Sequence, residues 1–295
     1  MHSFHTLETL PQAATGTKPA RLAVLGQPVS HSASPQLHQP ALDALGIIAT
    51  YIRLEVDPGK LREAFAMMAK LGFIGCNVTI PHKFEAMDSC TEVSAQARLL
   101  GAVNTVQFKD GAIIGYNTDG PGFRAAISDS FGLVLGKSKT LILGAGGGAG
   151  QAIAMQCALE KPAELTLVNR DLAKAESLAE RLRDVSPGTE IRTLGFMDPA
   201  LRDECQSADL IVQTTSLGLK TTDSQVIPDS YFSVDSRAYD TIYQPPETSF
   251  LAAAKRAGCK TDNGLSLLIH QGAIAFQHWF PGTEPLPYMR RAMKR

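Results

Sequence analysis

Apolar positions along the chain switch between a period of two and a period near 3.6, and the switches mark out strands and helices. "RLAVLG", residues 21–26, is an apolar strand followed by the polar loop "QPVSHSAS". Ser34 and Pro35 read as the N-cap and first position of a helix ending at Gly46. "IIATYIRLEV" is a second strand, and "KLREAFAMMAKLG" a second helix with Leu61, Phe65 and Met68 on one face and Gly72 at its end. A third strand over 74–80 sets Cys76, Val78 and Ile80 against Asn77 and Thr79, and Pro81 stops it two residues before Lys83. Two short helical stretches reach about Gly101, and "AVNTVQFKDGAIIGYNTD" forms a hairpin turning at Asp110 and Gly111.

Residues 120–132 form a helix leading to a second unit, where the alternation restarts at Thr140. Strand "TLILG", a glycine-rich turn, helix "QAIAMQCALE", strand "ELTLVN" and helix "LAKAESLAERLR" follow one another. Strands "EIRTLG", "DLIVQTTS" and "AYDTIY", a helix at 247–258 and the helical stretch "NGLSLLIHQGAIAFQHWF" complete the series. Strands alternating with helices at this spacing indicate parallel α/β sheets. A polar strand such as 74–80 is explained either by a solvated edge running into a helix or by a strand end that faces a ligand.

Composition narrows the classes. A chain of 295 residues suits two domains better than one core. With 44% hydrophobic and 19% charged residues it is an ordinary globular protein, and a net charge of −1 argues against nucleic-acid or acidic-membrane partners. No apolar stretch approaches the roughly 18 residues that a membrane span needs. Residues 1–20 carry neither a signal-like apolar run nor the arginines of a transit peptide, and read as a loose N-terminal extension. Five cysteines, at 76, 90, 157, 205 and 259, never form a CxxC pair. They fit a reducing cytoplasm and argue against a disulfide framework. The seven histidines show no HExxH spacing, so no metal site is expected.

"TLILGAGGGAG" sets Gly144, Gly146 and Ala149 in the GxGxxG/A arrangement between an apolar strand and a helix. Gly144 allows the tight turn, Gly146 lets backbone amides approach a pyrophosphate, and Ala149 is small enough for close helix–strand packing. A purely structural glycine turn is the alternative. The next strand ends in Asn169 and Arg170, whose cation favours the 2′-phosphate of NADP. Asp171 would repel that phosphate if it faced it, or would serve as the N-cap of the helix starting near Leu172.

Further polar clusters lie outside this unit: "VSHSASPQLH", "NVTIPHK", "GAVNT", "YNTDG", "YDTIY" and "NGLSLLIHQG". In order and content, from about Arg21 to about Phe280, they resemble the shikimate dehydrogenase family. That resemblance implies an N-terminal α/β substrate domain (21–120 and 264–295) facing an NADP-binding Rossmann domain (121–263) across a cleft. It implies that Ser32, Ser34 and Tyr243 hold a substrate carboxylate, and that Asn77, Thr79, Asn104, Asp119 and Gln271 bind ring hydroxyls. Lys83 and Asp119 would be the catalytic pair. Gly144, Ala145, Gly146, Gly147, Gly148, Ala149, Asn169, Arg170, Asp171, Thr215, Thr241 and Gly264 would contact the cofactor. The implied reaction is NADP-dependent reduction of 3-dehydroshikimate to shikimate by a cytoplasmic monomer or homodimer. Two positions depart from the common pattern: Asp171 stands where a threonine is usual, which leaves NAD or dual use open, and Thr241 where a methionine is usual. The competing readings are a quinate/shikimate dehydrogenase, a non-catalytic dinucleotide sensor, which would not need Lys83 and Asp119, and a folate-linked dehydrogenase, which would not need the hydroxyl-binding clusters.

Overall fold

A computed structural model describes residues 4–220 and 222–294. The chain divides into two compact units, one of Met1–Asp119 with Ile269–Arg295 and the other of Gly120–Leu268. The first contains, in chain order, α1 (Leu10–Ala13), β1 (Ala20–Gly26), α2 (Ser34–Ala44), β2 (Thr50–Glu55), α3 (Leu61–Lys70) and β3 (Gly75–Val78). It continues with α4 (Glu85–Ser89), β4 (Glu92–Val93), α5 (Ala95–Leu100), β5 (Thr105–Lys109) and β6 (Ala112–Tyr116). The sheet order is β2-β1-β3-β5-β6-β4. Strand β1 runs parallel to β2 and β3, and β5 is antiparallel to both β3 and β6.

Strand β3 is therefore central, and all four of its residues are buried, which removes the edge-strand reading. Ile80, expected on the buried face, is 73% exposed because the strand already ends at Val78. The α3 face is as the periodicity predicts: Leu61, Phe65 and Met68 are fully buried with Leu25, Leu54, Cys76 and Val106. Asp110 and Gly111 have φ of +51° and +81°, the left-handed pair that a two-residue hairpin turn requires. Helix α2 begins at Ser34 itself, with Ala33 in the cap position, one residue earlier than the sequence suggests.

The N-terminal stretch, expected to be loose, is tied down over its described residues; residues 1–3 lie outside them. The His5 amide donates to the Arg53 carbonyl and the Glu55 amide to the His5 carbonyl, both at 2.8 Å. Residues around His5 thus satisfy the open edge of β2, and Leu10 of α1 is fully buried in the same core as Phe65. Its polar neighbours conceal this in the sequence. Leu10→Ala should cost about 2–3 kcal/mol, low in the range for buried leucine because a terminal segment can follow the collapse. Denaturant unfolding measures it, and a change below about 0.5 kcal/mol would place the segment outside the core.

The second unit contains α6 (Asp119–Phe131, which starts at the boundary), β7 (Thr140–Leu143), α7 (Gly148–Leu159), β8 (Glu164–Val168), α8 (Leu172–Val185) and β9 (Glu190–Leu194). It goes on through α9 (Leu201–Ser207), β10 (Leu210–Gln213), β11 (Arg237–Asp240), α10 (Ser249–Arg256) and β12 (Lys260–Asn263). Helix α11 (Gly264–Trp279) crosses into the first unit, which α12 (Leu286–Met293) completes. All pairings in the second sheet are parallel, in the order β12-β11-β10-β7-β8-β9. Counted from β7 this is the 3-2-1-4-5-6 order of a Rossmann sheet, whose topological switch lies between β7 and β10. Leu141, Leu143, Val168, Ile211, Ala238 and Phe250 fill one of its faces. Strand β12, "KTDN", is polar and escapes periodicity; pairing with β11 along one side makes it a strand.

Candidate active site

Lys83 stands in the turn between β3 and α4. The neighbouring His82 is fully buried, with Nε2 2.7 Å from the Val56 carbonyl and Nδ1 3.2 Å from Glu85, so the turn is pinned beneath the lysine. Lys83 Nζ donates to Asp119 Oδ2 at 2.6 Å. Both side chains keep access to solvent, at 32% and 25% exposure. The Asp119 amide donates to Asn117 Oδ1 at 3.0 Å, and Asn117 Nδ2 to the Ala102 carbonyl at 2.9 Å. The "YNTDG" turn therefore fixes the carboxylate at the first residue of α6.

Asn77 and Asn104 are buried and joined through backbone groups that fix their amide orientation. Asn77 Nδ2 donates to the Asn104 carbonyl (3.3 Å) and to Thr105 Oγ1 (3.1 Å), and its Oδ1 accepts from Tyr51 Oη (2.7 Å). Asn104 Oδ1 accepts from the Thr118 amide at 2.8 Å, and its Nδ2 donates to Thr118 Oγ1 at 3.1 Å. What remains is one acceptor position on Asn77 and one donor hydrogen on Asn104. Thr118 Oγ1 also donates to Gln271 Oε1 at 3.4 Å. Gln271 is buried, not the solvated helix position that its sequence context allows. Thr79 lies just past β3, with its methyl against Gly26.

Ser32 and Ser34 meet at the start of α2. The Ser32 hydroxyl donates to Ser34 Oγ at 3.2 Å and accepts from the Ser34 amide at 3.3 Å. Strand β2 supports both groups: Tyr51 and Arg53, two residues apart and hence on one face, reach Asn77 and Ser32. Behind them His38 stacks on Tyr51 at 4.5 Å, and burial drives its pKa down to about 3, so the imidazole is neutral. Tyr51, Arg53, Thr105 and Thr118 escape motif reading. An arginine inside the apolar strand "TYIRLE", and threonines adjoining Asn104 and Asp119, were the available signals.

The remaining residues named from sequence lie in the second unit, each just past the carboxyl end of a strand. Gly144–Ala149 follow β7, Asn169–Asp171 follow β8, Thr215 follows β10, Thr241 and Tyr243 follow β11, and Gly264 follows β12. Gly144 has φ of +87°, and a methyl there would lie 2.6 Å from the Thr215 methyl. A side chain at Gly146 would lie 2.6 Å from Asn169 Nδ2. Ala149 is exposed; the close helix–strand contact expected of it belongs to Gly150, where a Cβ would overlap the Gly144 carbonyl and lie 2.8 Å from Ala145 Cα.

Gly147, Gly148 and Ala149 are exposed at the start of α7. This is an amide-rich helix N-terminus with no side chain in the way, which fits a pyrophosphate. Asn169 braces the loop: its Oδ1 accepts from the Gly146 amide at 3.2 Å and its Nδ2 donates to the Asp171 carbonyl at 2.8 Å. Arg170 is exposed. Asp171 occupies the cap position of α8 without a side-chain capping bond, and its carboxylate lies 4.0 Å from Lys174. Thr241 Oγ1 donates to the Gln213 carbonyl at 3.1 Å, and a Cβ at Gly264 would overlap the Thr241 carbonyl oxygen. Tyr243 is half-buried. Among the described residues no group of His, Cys, Asp or Glu is placed to hold a metal, and no helix is long and apolar enough to cross a membrane.

The family model for the shikimate dehydrogenase substrate binding domain matches residues 24–106. A shikimate dehydrogenase (NADP(+)) of Methanopyrus kandleri is 37% identical over 274 residues, covering 92% of this chain and 94% of the relative. The crystal structure of a Thermus thermophilus shikimate 5-dehydrogenase in complex with NADP(H) and shikimate is similar at a TM-score of 0.79 and 35% identity, covering 93% of this chain and all of that one. A Listeria monocytogenes shikimate 5-dehydrogenase in complex with shikimate and NAD has a TM-score of 0.85 at 30% identity, covering 92% and 96%. With relatives this similar along nearly its whole length, the chain belongs to the shikimate dehydrogenase family.

Proposed function

We propose that the protein catalyses the reversible NADP-dependent reduction of 3-dehydroshikimate to shikimate, the oxidoreductase step of the shikimate pathway to aromatic amino acids. The observation that carries this reading is the Lys83–Asp119 pair at 2.6 Å, held in the same unit as the Asn77–Asn104–Gln271 network. NADPH, when bound at the glycine turn after β7, supplies the hydride. The chain's own residues align the ketone and manage its proton. Lys83 stabilises the negative charge that develops on the carbonyl oxygen and gives it a proton. Asp119 orients the lysine and accepts from a neighbouring ring hydroxyl.

Asn77 and Thr79, with Asn104 and Gln271, bind ring hydroxyls, Asn77 acting as acceptor and Asn104 as donor through the groups their neighbours leave open. Ser32, Ser34 and Tyr243 take the carboxylate. Gly144–Ala149 hold the pyrophosphate, while Arg170 pairs with the 2′-phosphate, and Thr215, Thr241 and Gly264 shape the rest of the cofactor site. The reading extends to a cytoplasmic enzyme, supported by five scattered free cysteines.

Steady-state kinetics with shikimate and quinate, each with NADP and with NAD, test the assignment. Shikimate with NADP should give the highest kcat/KM. A higher value for quinate with NAD would favour the quinate/shikimate reading, and no turnover with any pair would favour a sensor. Asp171 modulates the choice of cofactor, since it directly follows Arg170 in the chain. Asp171→Thr should raise the NADP-to-NAD ratio of kcat/KM by about fivefold, the effect of one exposed like charge. An unchanged ratio would mean that Asp171 serves only the start of α8.

A further inference from the structure

Arg53 is only 8% exposed, yet it is an ion-pair partner of no described acidic residue. Its hydrogen bonds go to neutral acceptors. Nε and Nη2 both donate to the Ser32 carbonyl, at 3.0 and 2.7 Å, and Nη2 also donates to Gln36 Oε1 at 2.8 Å. A guanidinium stays charged at any working pH, and burial of a cation without an anion is costly. Such a charge is retained where something else completes it. The fork grips the peptide of one member of the Ser32–Ser34 pair, whose hydroxyls carry no charge of their own. The amino end of the eleven-residue α2 lies at the same place and also favours an anion.

We propose that Arg53 is a positioning and charge-compensating residue for the substrate carboxylate, acting from beneath the Ser32–Ser34 pair. The proposal rests on the reading that these serines bind the carboxylate. It assigns two tasks to one side chain: the two-pronged bond to the Ser32 carbonyl sets the serine loop, and the positive charge offsets the carboxylate that two hydroxyls leave uncompensated. Selectivity for an acid over a neutral ligand of the same shape then comes from Arg53, while the serines supply directional hydrogen bonds. One charge interaction at a high effective dielectric, screened at a partly open site, is worth on the order of tenfold in affinity.

The test compares shikimate with its uncharged carboxamide as ligands of wild type, Arg53→Gln and Arg53→Lys, by Kd and by kcat and KM. Arg53→Gln should weaken shikimate binding about tenfold and carboxamide binding less than about twofold. Arg53→Lys, which keeps the charge but loses the fork, should retain most of the acid-over-amide preference while weakening both ligands. Equal losses for acid and amide in Arg53→Gln would reduce Arg53 to a structural prop and overturn the proposal. Should Arg53→Gln fail to fold, the salt dependence of the wild-type acid-over-amide preference decides: charge compensation predicts that it falls as ionic strength rises, and a prop predicts that it does not change. Ser32→Ala and Ser34→Ala, tested alongside, address the underlying reading. If they leave shikimate affinity unchanged, the serine-pair assignment fails, independently of the acid-over-amide result for Arg53.

Discussion

Lys83→Ala is expected to lower kcat by about a thousandfold while shikimate still binds within a few-fold of the wild-type affinity. General acid–base catalysis by a positioned side chain contributes roughly 10²–10⁴, and stabilisation of a developing alkoxide acts through the same ammonium. The alanine variant removes both at once, because among the described residues no other cation is paired with Asp119. Binding should survive, since the side-chain amides of Asn77 and Asn104 are held by Tyr51, Thr105 and Thr118 and not by the lysine. Equilibrium binding of shikimate separates the two quantities. Near-normal turnover in Lys83→Ala would remove the lysine from the chemistry, and equal loss of affinity and turnover would make it a binding residue. Asp119→Asn keeps the shape but not the charge, so its effect should overlap with that of Lys83→Ala: the double variant should be little worse than the lysine variant alone, as expected of groups acting as a unit.

The elements flanking this pair were legible in the sequence because each strand or helix has an apolar face of the right period. The α3 face, the Asp110–Gly111 turn and the restart at Thr140 all follow from local pattern and backbone chemistry. What local pattern could not carry was long-range pairing. Strand β12 is polar and exists because β11 pairs with it, and the residues around His5 are ordered by the open edge of β2. The same division holds within the candidate site. Asn77 and Asn104 could be singled out by residue type and by the family resemblance. That their amides are already engaged depends on Tyr51, 26 residues from Asn77, and on Thr118, 14 residues from Asn104. In the glycine loop the motif suggested Ala149 for close packing, but the helix turns so that Gly150 meets the strand. Motif spacing identifies a turn; the register of the following helix decides which small residue the turn needs.

Gly75→Ala should be the most destabilising of the substitutions considered, at about 4 kcal/mol, the sum of two separate costs. Gly75 lies in β3, paired with Leu22 of β1 on one side and with Gln107 of β5 on the other. A backbone held by two ladders cannot retreat. Over it passes the hydrogen bond from Trp279 Nε1 to the Val106 carbonyl, 2.9 Å long. A methyl at Gly75 would overlap both of those atoms and lie 2.5 Å from Trp279 Cδ1, so the indole must move. Trp279 is only 4% exposed, and its ring centroid lies 5.4 Å from that of His38 and 6.3 Å from that of Tyr51. Displacement therefore combines overpacking, at roughly 1–3 kcal/mol, with a buried donor and acceptor left unpaired, at roughly 1–3 kcal/mol. It also disturbs the stack behind Tyr51, whose phenol orients Asn77, so KM for shikimate should rise in whatever fraction remains folded. Trp279 is the single tryptophan of the chain, and its fluorescence reports the site directly. Denaturant unfolding of Gly75→Ala should show an earlier midpoint together with altered native-state emission. An unchanged midpoint with wild-type emission would mean that the indole accommodates the methyl, and that the contact between α11 and β3 is looser than this geometry requires.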